Sequence, residues 1–438
     1  MWFEESVFYH IYPLGFCDAM SENNPGTPEK PEKIEKIADW APYIKSMGAD
    51  ALYLGPVFDS DKHGYDTRDY TRIDRRLGTN KGFAGVCEKL HQEGIKIVPD
   101  GVFNHVGRGF IPFQDVIHQK RQSQYKDWFK IDFNGDSNYG DGFWYEGWEG
   151  HFELVKLNLQ NRCVVDYLLS CVKGWIEDYD IDGLRLDVAY SLDKNFIKAL
   201  RRFAKALKPD FFLLGECLHG DYNQFVSPEL LDSCTNYECY KGLYSSFNDM
   251  NMFEIAYSLN RQFGAESWTL YKDKHLMIFA DNHDVSRIAG ILKEKKHLPL
   301  AYGLMFAMPG IPCIYYGSEW GETAIKSQGD DALRPSFAKP VENSLSVLIT
   351  KLCGIYKENR AFSQGSYRQL AVSNHLFAFE RTCSGNKIIF ALNIAATPGE
   401  VEVGSAFSGV ELLTGKSGAI NGKLVLAPCS MAIWRADT

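Results

Sequence analysis

The chain lacks an apolar run that approaches the roughly 20 residues of a membrane helix. Met1-Trp2-Phe3-Glu4-Glu5 has neither a basic start nor the apolar stretch of a signal peptide, so a cytoplasmic location is expected. Positive charge is in deficit: the net charge of −9 speaks against nucleic acid or an anionic membrane as partner. The eleven cysteines are an odd number and show no metal-site spacing, since Cys234 and Cys239 are too far apart for the usual knuckle. Free, buried thiols in a reducing compartment fit this set. There is no internal repeat beyond alternating strand and helix patterns, and no low-complexity segment. What remains is a chain of 438 residues with ordinary globular composition, 45% hydrophobic and 24% charged. Aromatics reach 14%, which suits either a large aromatic core or the stacking platforms of a sugar cleft.

The stretch Gly183-Leu184-Arg185-Leu186-Asp187-Val188-Ala189 organises the rest. Its alternation sends Leu184, Leu186 and Val188 to one face and Arg185 and Asp187 to the other. Helical patterns flank it, as in a β/α unit. A guanidinium and a carboxylate inside a barrel must be paired or used. Two further apolar strands end in acids: Leu213-Leu214-Gly215-Glu216, and Met277 to Asp284 with Asp281-Asn282-His283-Asp284. Acids at the C-terminal ends of separate parallel strands are how a (β/α)8 barrel builds an active site.

Six motifs in order carry a resemblance. They are His63-Gly64-Tyr65-Asp66, Asp100-Gly101-Val102-Phe103-Asn104-His105, Gly183 to Ala189, Gly215-Glu216, Phe279 to Asp284, and Pro309 to Gly317. From about Val7 to the C-terminus the chain resembles the α-amylase family of glycoside hydrolases. It is nearest to the neopullulanase, cyclomaltodextrinase and maltodextrin glucosidase branch, whose accessory N-terminal domain is not expected in this chain. Leu154-Val155-Lys156-Leu157-Asn158 is similar to that branch's Met-Pro-Lys-Leu-Asn.

The expected fold is α/β. A (β/α)8 TIM barrel spans 1–105 and 158–362, with an insertion domain at 106–157 after the third strand. An antiparallel β-sandwich follows at 363–438, with turns at Ser384-Gly385-Asn386 and Asn421-Gly422. Eight barrel strands are read, beginning near Val7, Ala51, Lys96, Gly183, Leu213, Cys234, Met277 and Ile311. Residues 17–31 read as a loop, and 106–157 not as a helix followed by a strand.

The resemblance implies a retaining α-glucan hydrolase. Asp187 is its nucleophile, with Arg185 lowering its pKa and itself counted among the substrate-binding residues. Glu216 is the acid and then the base. Asp284 orients sugar hydroxyls. Tyr65 stacks under the sugar, His105 and His283 donate to hydroxyls, and Asp100 supports Arg185. Asp330 and Arg334 resemble a pair that holds the next sugar, although a solvated salt bridge accounts for them equally well. Asn104 sits where a calcium ligand often lies. Tyr190-Ser191 replaces the Lys-His of calcium-dependent members, and the acidic calcium loop is not reproduced near Asp18 to Gly26. No metal or other cofactor is therefore expected to be required. Leu218 stands where cyclomaltodextrinases have Trp, which leaves acceptor handling open. The implied substrate is an α-glucan oligosaccharide joined by α-1,4 and, as an open alternative, α-1,6 bonds. The protein is expected as monomer or homodimer. Two alternatives stand beside hydrolysis. One is a glucanotransferase with the same triad. The other is a silent glucan-binding relative, and such relatives lose triad acids that this chain keeps.

Overall fold

The computed structural model describes residues 1–19, 23 and 32–437. Most of the expected 17–31 loop, and with it most of the Asp18 to Gly26 stretch, lies outside the described residues. Eight parallel strands form the centre: Phe8–Ile11, Ala51–Leu54, Lys96–Gly101, Gly183–Leu186, Phe212–Gly215, Ser233–Cys234, Met277–Phe279 and Ile311–Tyr315. In space their order is six-five-four-three-two-one-eight-seven. A parallel bridge from Thr235 to Met277 joins the sixth strand to the seventh and closes the barrel. Each strand is buried along its whole length, apart from the half-buried Lys96, as a parallel sheet covered on both faces requires.

Strand alternation divides the core in two. Phe8, Ala51, Tyr53, Val98, Phe212, Leu214, Met277, Phe279, Ile311 and Cys313 fill the barrel interior. The N-terminal turn Trp2–Glu5 plugs the bottom, with Phe3 stacked on Phe212 at 4.3 Å. Leu184 and Leu186 face the surrounding helices instead. The helix Arg162–Tyr179 starts at Asn161, whose side chain accepts from the Cys163 N–H and caps it. Its Trp175 stacks on Phe58 at 4.0 Å and donates to the Tyr70 carbonyl. These two contacts anchor the hairpin Phe58–Ser60/Thr67–Ile73, which carries the His63-Gly64-Tyr65-Asp66 motif at its tip. The apolar residues Ile34, Ile37, Ala38, Trp40, Ala41, Ile44 and Met47 recur at helical spacing, but the segment forms two helices, Glu35–Asp39 and Ala41–Met47. Pro42, which has no N–H to continue the first, opens the second.

Between the third strand and Asn161, an antiparallel sheet of His105–Gly107, His151–Lys156 and Gly147–Trp148 stands over one side of the barrel mouth. This segment also holds a helix, Ile111–Gln119, where no helix was expected. Three apolar anchors, Pro112, Phe113 and Val116, suffice to bury it, too few to give a periodic signal.

The C-terminal region is the expected antiparallel sandwich. A six-stranded sheet faces the two-stranded Gly399–Glu402/Lys423–Leu426 sheet across Ala378, Ile389, Val401, Val403 and Leu424. Ser384 and Gly385, both at positive φ, make a tight hairpin turn. Asn421-Gly422 behaves differently: it carries the chain from one sheet to the other, since Lys416–Ile420 pairs in the large sheet and Lys423–Leu426 in the small one.

Candidate active site

Strand register brings the acids together. Arg185 is the ladder neighbour of Asp100 on one side and of Leu214 on the other. One step on, Leu186 pairs with Gly215, so Asp187 and Glu216 leave the barrel rim side by side. Arg185 then serves three carboxylates. NH1 donates to Asp100 at 3.1 Å and to Asp187 at 2.9 Å, and NH2 contacts Glu216 Oε1 at 2.8 Å. Val188 turns the chain off the sheet in a left-handed conformation, φ 39 and ψ 48, uncommon for a β-branched residue. That turn aims the Val188 N–H at Glu216 Oε2, at 3.0 Å. Strain of this kind persists only where the surroundings over-determine it.

Asp284 comes from across the barrel. The Asn282 side chain accepts from the Asp284 and Val285 N–H groups and fixes the turn after strand seven. Asp284 is held by Arg334 NH2 at 3.0 Å and His283 Nε2 at 2.9 Å, and its tip opens to the cleft. The hairpin tip sets Tyr65: Asp66 accepts from the His63 and Gly64 N–H groups, and a side chain at Gly64 would meet Pro56 at 2.5 Å. Tyr65 donates to Asp100 at 3.0 Å, contacts His283 Nε2 through its hydroxyl and stacks on the His283 ring. The Asn104 amide faces His105 Nδ1 at 3.1 Å. Nε2, which this leaves carrying the proton, has no hydrogen-bond partner and lies 3.8 Å from Asp187 Oδ2.

Above these groups lies a cleft of about 840 Å³. Asp187, Glu216, Asp284, Tyr65, His105, Asp330 and Arg334 line it. Arg185 and His283, expected to touch substrate, are buried and are not among the lining residues; both hold residues that are. Asp100 and Asn104 are likewise buried. Asp330 and Arg334 do meet, at 3.3 Å, with Asp330 half-exposed beside Lys326. Among the described residues, no group of three His, Cys, Asp or Glu side chains could hold a metal.

Sequence reading missed two wall residues. Trp148 brings a buried indole N–H without a partner from the overhanging sheet. Tyr237 follows strand six, and its hydroxyl accepts from the Asn282 amide at 2.9 Å. The strand-end rule that found the acids applies equally to Tyr237. Nothing local distinguishes Trp148 from other aromatics of its segment.

The charges correct one expectation. Arg185 does pull on Asp187, but burial outweighs it, and the Asp187 carboxyl is pushed up to about 7. Burial and the neighbouring Asp187 also raise Glu216 to about 7, against the same guanidinium, and burial raises Asp100 to about 7. One cation shared among three carboxylates cannot keep them all ionised. The acid held well below the usual range is Asp284, where His283 and Arg334 overcome the cost of burial. Burial keeps His105 neutral, its pKa lowered to about 3.

A pH profile follows. Asp187 and Glu216 titrate as a pair, and chemistry that uses one carboxylate and one carboxylic acid needs a single proton on it. As pH falls a second proton arrives and leaves no carboxylate. As pH rises through about 7 the last proton leaves and no acid remains. The kcat/KM profile should be a bell with its alkaline limb at about 7 or above. An alkaline limb near the ordinary carboxylate range would contradict the cluster.

The pattern described as "Alpha amylase, catalytic domain" matches residues 10–364. The chain belongs to the alpha-amylase family. It is 31% identical to a cyclomaltodextrinase of Thermoanaerobacter pseudethanolicus over 90% of this chain and 70% of that protein. It is 30% identical to an intracellular maltogenic amylase of Bacillus subtilis over 90% and 69%. Among solved structures it resembles a cyclic α-maltosyl-(1→6)-maltose hydrolase from Arthrobacter globiformis, with a TM-score of 0.84, 25% identity and full coverage of both chains. The family's barrel and C-terminal sheet are those described above.

Proposed function

We propose that this alpha-amylase-family chain hydrolyses α-glucosidic bonds in short maltodextrins, linear or cyclic, with retention of configuration. The observation that carries the reading is the pair of acids hung on one guanidinium at the cleft floor, with Asp284 opposite. Glu216 protonates the leaving oxygen while Asp187 attacks the anomeric carbon. A glycosyl ester forms, and water, deprotonated by Glu216, releases it. Asp284, ionised throughout, holds sugar hydroxyls and favours the distorted ring. His105 offers its Nε2 proton to a hydroxyl, and Tyr65 offers its ring.

Substrate size follows from the walls. The overhanging sheet brings Trp148, His151, Glu153 and Leu154 to one side of the cleft, which favours a pocket for short chains over an open groove. The names of the relatives, cyclomaltodextrinase and maltogenic amylase, support small glucans. The cyclic maltosyl-(1→6)-maltose hydrolase supports keeping α-1,6 bonds within the range to be tried.

Two measurements test this. Magnetic resonance over the first minutes of hydrolysis should show α-anomers; initial β-anomers would mean inversion. Specificity constants should be higher on maltotriose and maltoheptaose than on amylose. Higher values on amylose, with a spread of mid-length products, would mean an open, endo-acting cleft.

A further inference from the structure

Cys217 directly follows Glu216. The register that aligns the acids also aligns two thiols. Gly215, the last residue of strand five, pairs with Cys234, the last of strand six. Beyond that pair, the Cys217 N–H donates to Thr235 Oγ1 at 3.0 Å. The Cys217 and Cys234 sulfurs thereby come to 3.0 Å, closer than the roughly 3.5–4.0 Å at which even carbon atoms pack. Both side chains are buried, and neither is in a disulfide.

We propose that Cys217 and Cys234 are an oxidation site, a vicinal thiol pair whose oxidant is a low-molecular-weight disulfide and whose bridging displaces Glu216. The effect on turnover rests on the reading of Glu216 as the acid; the bridge itself does not. The route of access is local. Cys217 is the last buried residue before Leu218, His219, Gly220 and Asp221, all exposed, so opening that short loop uncovers its sulfur. Cys217 borders that loop, whereas Cys234 ends a barrel strand, so the exchange starts at Cys217. Cys217 gives up its proton and its sulfur attacks the small disulfide. One S–S bond breaks, a mixed disulfide forms and one small thiolate leaves. The Cys234 sulfur, losing its proton, then attacks the Cys217 sulfur and expels the second small thiol. Two protein thiols are oxidised and one small disulfide is reduced to two thiols.

A disulfide requires about 2.05 Å between sulfurs, so the two must approach by about 1 Å. That pull acts on the backbone next to Glu216, whose carboxylate is fixed by Arg185 and by the Val188 N–H. Displacements of about 1 Å at a reacting group cost up to about a hundredfold in rate.

The full chain is incubated with bis(2-hydroxyethyl) disulfide and read by chymotryptic mapping and by kcat. The expected result is a linked pair of peptides, one holding Cys217 and one holding Cys234, with kcat at least about tenfold lower and restored by dithiothreitol. Cys234→Ala should abolish both changes while keeping untreated activity. If Cys234→Ala does not fold, Cys234→Ser takes its place, and the map of the unaltered chain decides in any case. Mixed disulfides alone, for example on the exposed Cys163, would overturn the site. A complete bridge with unchanged kcat would overturn the coupling to Glu216. Failure of the acid reading would show separately, as normal activity in Glu216→Gln.

Discussion

Asp187→Asn should lose at least about a thousandfold in kcat on maltodextrins and remain folded. An amide cannot form the glycosyl ester, and the residual rate is what the remaining groups supply without a nucleophile. The Asn oxygen can still accept from Arg185 NH1, as Asp187 does at 2.9 Å. Removing the carboxylate also relieves repulsion in a cluster where one guanidinium faces Asp100, Asp187 and Glu216. The melting temperature should therefore hold or rise, and glucan binding measured by calorimetry should persist. Because Asp187 is one of the charges that raise Glu216, the Glu216 pKa should fall in the variant. Activity above a few per cent would remove Asp187 from the nucleophile's role. Inactivity with a collapsed melting temperature would leave it a structural one.

Glu216→Gln should cost about 10²–10⁴-fold on natural glucans, the range of a general acid. On an aryl glycoside whose leaving group needs little protonation, the first step should lose far less. Equal losses on both would count against the acid. The variant should also be somewhat less stable. Both Glu216 oxygens accept from donors, Arg185 NH2 and the Val188 N–H. A Gln must turn its NH2 toward one of them, and a buried donor left unpaired costs about 1–3 kcal/mol.

The sequence made the barrel legible because each strand is short, apolar and bounded, and because acids end three of them. That Asp187 and Glu216 end consecutive barrel strands was legible, but their register was not: it depends on the pairing of Leu186 with Gly215, which no single strand encodes. The raised pKa of Asp187 escaped for the same reason. Sequence shows Arg185 two residues away, but not that Asp100 and Glu216 share it. The helix Ile111–Gln119 had too few anchors to declare itself, and Asn421-Gly422 has the composition of a hairpin turn without being one. Trp148 reaches the cleft only because its sheet folds back over the barrel, a long-range placement that composition cannot supply. The pairing of Asp330 with Arg334 was suggested by the resemblance, and its position at the cleft rim comes from the fold.

The covalent intermediate is the most direct test of the double displacement. Glu216→Gln treated with α-maltosyl fluoride keeps the nucleophile and has a leaving group that needs no acid, but lacks the base that would activate water. The glycosyl-enzyme should accumulate. Intact mass should rise by one maltosyl unit, and peptide mapping should find it on Asp187. Fluoride release without an adduct, or an adduct on Asp284, would contradict the assignment of Asp187.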